Sequence, residues 1–167
     1  MKKFSVISVL AVIIAVIVSC SSVDVSKKGN IVKNARVIIL PFENNTETPY
    51  AGIRAAKIAE GVFSAQGFNV AHNIYKQKEY TSEEIKNMLK EAKINGYRYA
   101  VVGSVNEWRY KTGIDGEPAV SLSITIIDLS TEAPVFSGVA SKSGLGYSSI
   151  GVLAQELLNE IVSSVRD

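Results

Sequence analysis

Val120, Leu122, Ile124 and Ile126 alternate with Ser121, Ser123 and Thr125, the cleanest two-residue period in the chain. Side chains on a strand point to opposite faces in turn, so this stretch predicts a strand. Arg36 to Leu40 is instead a continuous β-branched run closed by Pro41, which predicts a buried strand, central in its sheet. Ile53, Ala56, Ile58, Ala59, Val62 and Phe63 make one broad apolar stripe, as on a helix from Tyr50 to about Ala65. Thr48-Pro49 suits its start, with proline at the first helical position. Gly67 ends it, and Phe68 to Ala71 is a short strand.

A second helix follows. Thr81 and Glu84 have capping-box spacing, and Ile85, Met88, Leu89 and Ala92 recur at i, i+3, i+4 and i+7 before Asn95-Gly96. Tyr97 to Tyr110 predicts a strand that begins apolar and ends polar. The segment 111–118 is a turn dense in glycine and proline, and Leu129 to Ala133 is another. Val135 to Ser141 is the last strand. Ser148-Ser149 caps a final helix carrying Ile150, Leu153, Ala154, Leu157, Leu158, Ile161 and Val165. The order βαβα then βββα predicts an α/β layered domain, with helices packed on a mixed β-sheet whose last three strands form an antiparallel meander. A single domain is expected over 34–167.

The first 33 residues have a different character. Lys2-Lys3 precede an uncharged run from Phe4 to Val18, and the only cysteine, Cys20, follows. A positive start, an apolar stretch and a small-residue end are the features of a secretory signal. Ile17-Val18-Ser19-Cys20 resembles a bacterial lipobox, in which the cysteine is lipidated and becomes the first residue. The expected division is a signal over 1–19, a lipidated small and polar tether over 20–33, and then the domain. Two or more acyl chains would hold the protein stably on a membrane. The tether, about 13 residues, spans at most roughly 45 Å, which favours action close to its own membrane.

Composition narrows the function classes. Without Lys2 and Lys3 the chain carries 16 basic against 16 acidic residues, a balance that argues against nucleic acid as a partner. Catalytic material is sparse. His72 is the only histidine, which leaves little for a metal cluster or a Ser-His-Asp triad. No G-x-S-x-G, phosphate loop or H-E-x-x-H is present, so no metal and no cofactor are expected. Glu107, Asp115 and Glu117 could form a glycosidase-like carboxylate pair, although charges beside a turn are commonly only solvated. Gly144 and Gly146 before a helix could form an anion nest, or serve backbone freedom alone. Trp108, Arg109 and Tyr110 join the only tryptophan, a cation and a tyrosine at a strand end. By strict alternation Trp108 and Tyr110 share one face and Glu107, Arg109 and Lys111 the other. This suits a membrane or subunit contact; the alternative is a core tryptophan with charges outside.

Residues 37–52 (VIILPFENNTETPYAG) resemble the opening of a group of lipoproteins around the curli secretion lipoprotein, the penicillin-binding-protein activators and the N-terminal domain of the Tol-system periplasmic protein. Residues 103–120 (GSVNEWRYKTGIDGEPAV), with Asp128 and the run Val135 to Gly138, narrow this. With the lipobox, they resemble the PelC-like lipoproteins of Pel exopolysaccharide secretion over essentially the whole domain. The resemblance implies a non-enzymatic part: a ring of twelve subunits, anchored by Cys20 to the periplasmic face of the outer membrane beneath the export barrel. Its acidic funnel would guide a cationic polysaccharide, with Asp115 and Glu117 as polymer-facing candidates. Ser21 after the cysteine is consistent with sorting to the outer membrane. The neutral mature chain departs from an acidic expectation, so an acidic lumen would depend on how charges are distributed. The alternatives are a regulatory lipoprotein that activates a peptidoglycan synthase, a curli-type secretion lipoprotein and a periplasmic glycosidase.

Overall fold

The computed structural model describes residues 21–27, 29, 31–32, 34–110, 116–144 and 148–166. In chain order these form strand β1 (Ser21–Lys27), β2 (Arg36–Ile39), β3 (Glu43–Asn44), helix α1 (Ala51–Ala65), β4 (Asn69–Ala71), α2 (Ser82–Ile94), β5 (Tyr99–Tyr110), β6 (Pro118–Asp128), β7 (Ala133–Ser143) and α3 (Ile150–Arg166). The strands make one mixed sheet in the order β1-β7-β6-β5-β2-β4, with β3 also paired to β5. Strands β4, β2, β3 and β5 run parallel where they pair, whereas the pairs β5–β6, β6–β7 and β7–β1 are antiparallel. The expected layered α/β fold with a terminal meander is present.

The periodicities explain the layering. On β6, Val120, Leu122, Ile124 and Ile126 are at most 1% exposed, in the core that α3 covers. Burying one such side chain contributes about 1.5–3 kcal/mol. Strand β7 adds Phe136 and Ala140 to this face, and α3 adds Leu153, Leu157, Leu158 and Ile161. The opposite face is thinner. There α2 sets Ala92 and Leu89 against Ala100, Leu129, Ile38 and Ile127. Toward β6 and β7 that outer face carries paired hydroxyls, Ser104 with Ser123 at 2.7 Å and Ser121 with Ser141 at 2.8 Å.

Helix starts agree with the sequence in two cases of three. Thr81 and Glu84 complete a reciprocal capping box at α2, and Ser149 Oγ accepts from the Val152 N–H at α3. At α1 the expectation shifts by a residue or two: Pro49 precedes the helix and Tyr50 is its N-cap, in a left-handed conformation (φ 60°) without a side-chain cap. The β2 strand is internal, between β5 and β4, rather than central.

The largest difference lies in the segment expected to be a tether. Ser21–Lys27 pairs with β7 along its whole length, from Ser21 opposite Lys142 to Lys27 opposite Phe136. Six of these seven residues are exposed. An edge strand held by backbone pairing needs little apolar content, so the sequence carries no periodic signal there.

Candidate functional site

Residues 37–52 and 103–110 lie apart in the chain and meet in space. Phe42 is 2% exposed and belongs to the main core. A side-chain carbon built on Gly103 would lie 3.0 Å from its ring and 2.5 Å from the Ser123 carbonyl oxygen. A side-chain carbon on Gly52 would lie 2.0 Å from the Phe42 carbonyl oxygen. Only glycine lets α1 begin this close to the strand it follows.

The loop between these contacts is organised by Asn44. Its Oδ1 accepts from the Thr46 N–H at 3.1 Å and the Thr46 hydroxyl at 2.8 Å, while its Nδ2 donates to the Thr48 carbonyl at 2.8 Å. An Asx turn of this kind replaces backbone pairing in a loop. Thr48 Oγ1 then donates to the Trp108 carbonyl at 2.6 Å, and the Asn45 N–H donates to Val105 O at 2.9 Å. Asn45 Nδ2 donates to Asn106 Oδ1 at 3.1 Å. The result is a shallow groove of about 550 Å³ between loop and strand, bordered by Asn45, Glu47, Asn106, Glu107 and Arg109. Its lining holds amide groups and one ion pair, Arg109 Nε donating to Glu107 Oε1 at 3.0 Å.

Trp108 departs from the boundary reading. It is 4% exposed and lies in the main core opposite Val120. The cause is a register shift between Val105 and Glu107. The bulge takes up Asn106, so Trp108 turns to the same face as Val105 when strict alternation would send it outward. Arg109 and Tyr110 do lie at the surface, with Tyr110 52% exposed.

The other candidates are dispersed. Cys20 and Asp115 lie outside the described residues, as do Lys111 and Gly146. Glu117 is half-buried just before β6. His72 is exposed directly after β4. The Gly144 N–H donates to the Pro118 carbonyl at 2.9 Å, so it closes the sheet end and does not point at an anion. Among the described residues, no group of three His, Cys, Asp or Glu side chains could hold a metal ion, and no helix is long and apolar enough to cross a membrane.

Sequence reasoning passed over a buried polar cluster. Glu60 is 4% exposed on α1. Its Oε2 accepts from Lys57 Nζ at 2.8 Å, and its Oε1 meets the Tyr75 hydroxyl at 2.9 Å and the Asn73 N–H at 3.3 Å. Tyr75 Oη also lies 2.6 Å from the Ile39 carbonyl. Burial, and then the Glu60 charge, push the Tyr75 phenol well above its ordinary value. The cluster pins the loop after β4 to the core. Glu60 falls on the border of the α1 stripe, where sequence gives no hint of burial.

This fold is shared by a class of bacterial lipoprotein domains. A Neisseria meningitidis lipoprotein matches with a TM-score of 0.54 at 16% identity, covering 77% of this chain and 99% of that one. The LpoB C-terminal domain from Salmonella enterica matches with a TM-score of 0.50 at 12% identity, covering 68% and 86%. Both share the fold alone. The PelC dodecamer from Paraburkholderia phytofirmans is nearer, with a TM-score of 0.74 at 30% identity over 88% of this chain and 98% of that one. The chain belongs to the PelC family. No family model and no curated protein sequence matches it.

Proposed function

We propose that this protein is a non-enzymatic, lipid-anchored ring component of a Pel-type exopolysaccharide export machinery. It works at the periplasmic face of the outer membrane and guides a cationic polymer to an export barrel. The observation that carries the reading is the 30% identity, over nearly the whole domain, to a protein that forms a dodecamer. The meeting of the two motif stretches at Phe42 and Gly103 supports it, because the residues that carry the resemblance are joined in one part of the fold.

Each part has an assigned residue. Cys20 carries the lipid, and Arg109 and Tyr110 offer surface to membrane or neighbouring subunit. Trp108 supports them from the core. Asp115 and Glu117, in and beside the β5–β6 turn, are the polymer-facing acids. Replacing Cys20 by Ala in the producing cell tests the reading: surface polymer falls sharply while the protein stays folded in the soluble fraction. Undiminished surface polymer with a soluble Cys20→Ala protein would contradict it.

A further inference from the structure

Helix α2 has two unlike sides. Ile85 and Ala92 are buried, whereas Lys86, Lys90 and Lys93 are exposed. Lys86, Leu89, Lys90 and Lys93 stand at i, i+3, i+4 and i+7, so they share one side of the helix. Between that side and the turn joining β6 to β7 the surface sinks into a groove of about 510 Å³. Leu89 and Ile94 line it from the helix, and Ile127 and Leu129 from β6 and the turn. Ile94 is 84% exposed there. Apolar surface that is contiguous and rimmed by polar groups, unlike a single exposed apolar side chain, marks a contact site.

The rim of the groove is basic. Its one lining acid, Glu132, is paired with Lys93 Nζ. Among the described residues no carboxylate pairs with Lys86 or Lys90. Lys90 Nζ donates to the Asn87 amide oxygen at 3.5 Å, which leaves its charge uncompensated. Two cations therefore border the entrance to an apolar recess.

Concavity, apolar lining and positive charge together select an occupant. A flat bilayer surface does not enter a recess, whereas the apolar ridge of an amphipathic helix does. Among its described residues this chain supplies no such ridge. α1 exposes no large apolar side chain, and α3 exposes only Val152, with its acids Glu156 and Glu160 held by Lys142. We infer that the groove docks an acidic amphipathic helix of another protein. The apolar ridge of that helix lies against Leu89, Ile94 and Leu129, and its flanking carboxylates meet Lys86 and Lys90. The groove lies at the β6–β7 turn, at the other end of the sheet from Ser21, Arg109 and Tyr110. It adds a protein partner to the export reading without depending on it.

The test uses the full acylated protein in phosphatidylcholine nanodiscs. The probe is a fluorescein-labelled, hydrocarbon-stapled peptide with leucine at i, i+3, i+4 and i+7, flanked by glutamate. Fluorescence anisotropy should show saturable binding that weakens with added salt. The double variant Lys86→Glu/Lys90→Glu, and separately Ile94→Ser, should each weaken it about tenfold or more. The same peptide with lysine in place of glutamate should prefer the double variant to wild type. All three positions are exposed, so melting midpoints stay near wild type. Absence of saturable binding to wild type overturns the proposal, as does equal binding of the two peptides or equal binding to empty nanodiscs. A double variant whose native mass falls to a single subunit overturns it in favour of a second copy. Sedimentation of the Cys20→Ala protein with phosphatidylglycerol vesicles, lost in the double variant, overturns it in favour of a membrane. The export reading survives each of these outcomes.

Discussion

The ring of Phe42 stands where a side chain on Gly103 would have to go, 3.0 Å from that position. This contact welds the loop after β2 to the middle of β5. Gly103→Ala would press on that ring and on the Ser123 carbonyl at 2.5 Å, and overpacking of this kind costs about 1–3 kcal/mol. Gly52→Ala meets backbone at 2.0 Å and should cost at least as much. Thermal unfolding checks both: at about 2–4 °C per kcal/mol for a chain of this size, each variant melts several degrees early. An unchanged midpoint for either would mean the loop moves aside freely.

Trp108→Ala should behave as a core truncation. The side chain is 4% exposed, and such changes cost about 3–5 kcal/mol. Arg109→Ala and Tyr110→Ala remove surface groups and should stay within about 0.5 kcal/mol. Denaturant midpoints for the three variants decide it. If Trp108→Ala melts normally while assembly weakens, the tryptophan belongs to an interface after all.

Tyr75→Phe removes one hydroxyl from the cluster that joins Glu60 to the Ile39 carbonyl. A buried acceptor left unsatisfied costs about 1–3 kcal/mol. The same variant should also raise amide exchange in residues 72–80, since their anchor to the core is lost. Unchanged protection in that loop would show that Tyr75 is not the pin.

Stability should fall in acid for a stated reason. Burial alone would raise the Asp128 carboxyl. Hydrogen bonds from the Ser130 hydroxyl and N–H, at 2.7 and 2.9 Å, and from Arg98 at 2.6 Å outweigh it and hold the group below its ordinary value. A depressed carboxylate contributes stability above its unfolded value of about 3.9, and that stability is lost as pH falls through the folded value. Lys142 has the opposite sign. The Glu156 contact, followed by Glu160, raises it against a smaller burial effect, so its contribution is full below about 10.4 and fades as pH rises through the folded value. Asp128→Asn should flatten the acid limb of a stability–pH curve, and Lys142→Met the alkaline limb. Curves parallel to wild type at both ends would contradict these assignments.

Much of the fold was legible because its signals are local. The β6 alternation, the Thr81–Glu84 capping box and the α3 stripe each report burial or capping within one element. What failed was non-local. β1 was hidden because its pairing is with β7 through the backbone, and its side chains are mostly exposed. For Trp108 the contact and core readings both stood open, because the bulge at Asn106 that turns it to the face of Val105 has no local signature. At the candidate site, the residues carrying the family resemblance were visible. The Phe42–Gly103 contact that unites them was not, since no periodicity links positions so far apart.

Native mass of the acylated protein in detergent tests the central claim most directly. A closed, ring-forming component of the PelC type predicts one dominant assembly of twelve subunits, the number formed by the Paraburkholderia phytofirmans protein, each subunit bearing acyl chains on Cys20. A single acylated subunit at high protein concentration, with no larger closed species, would contradict it.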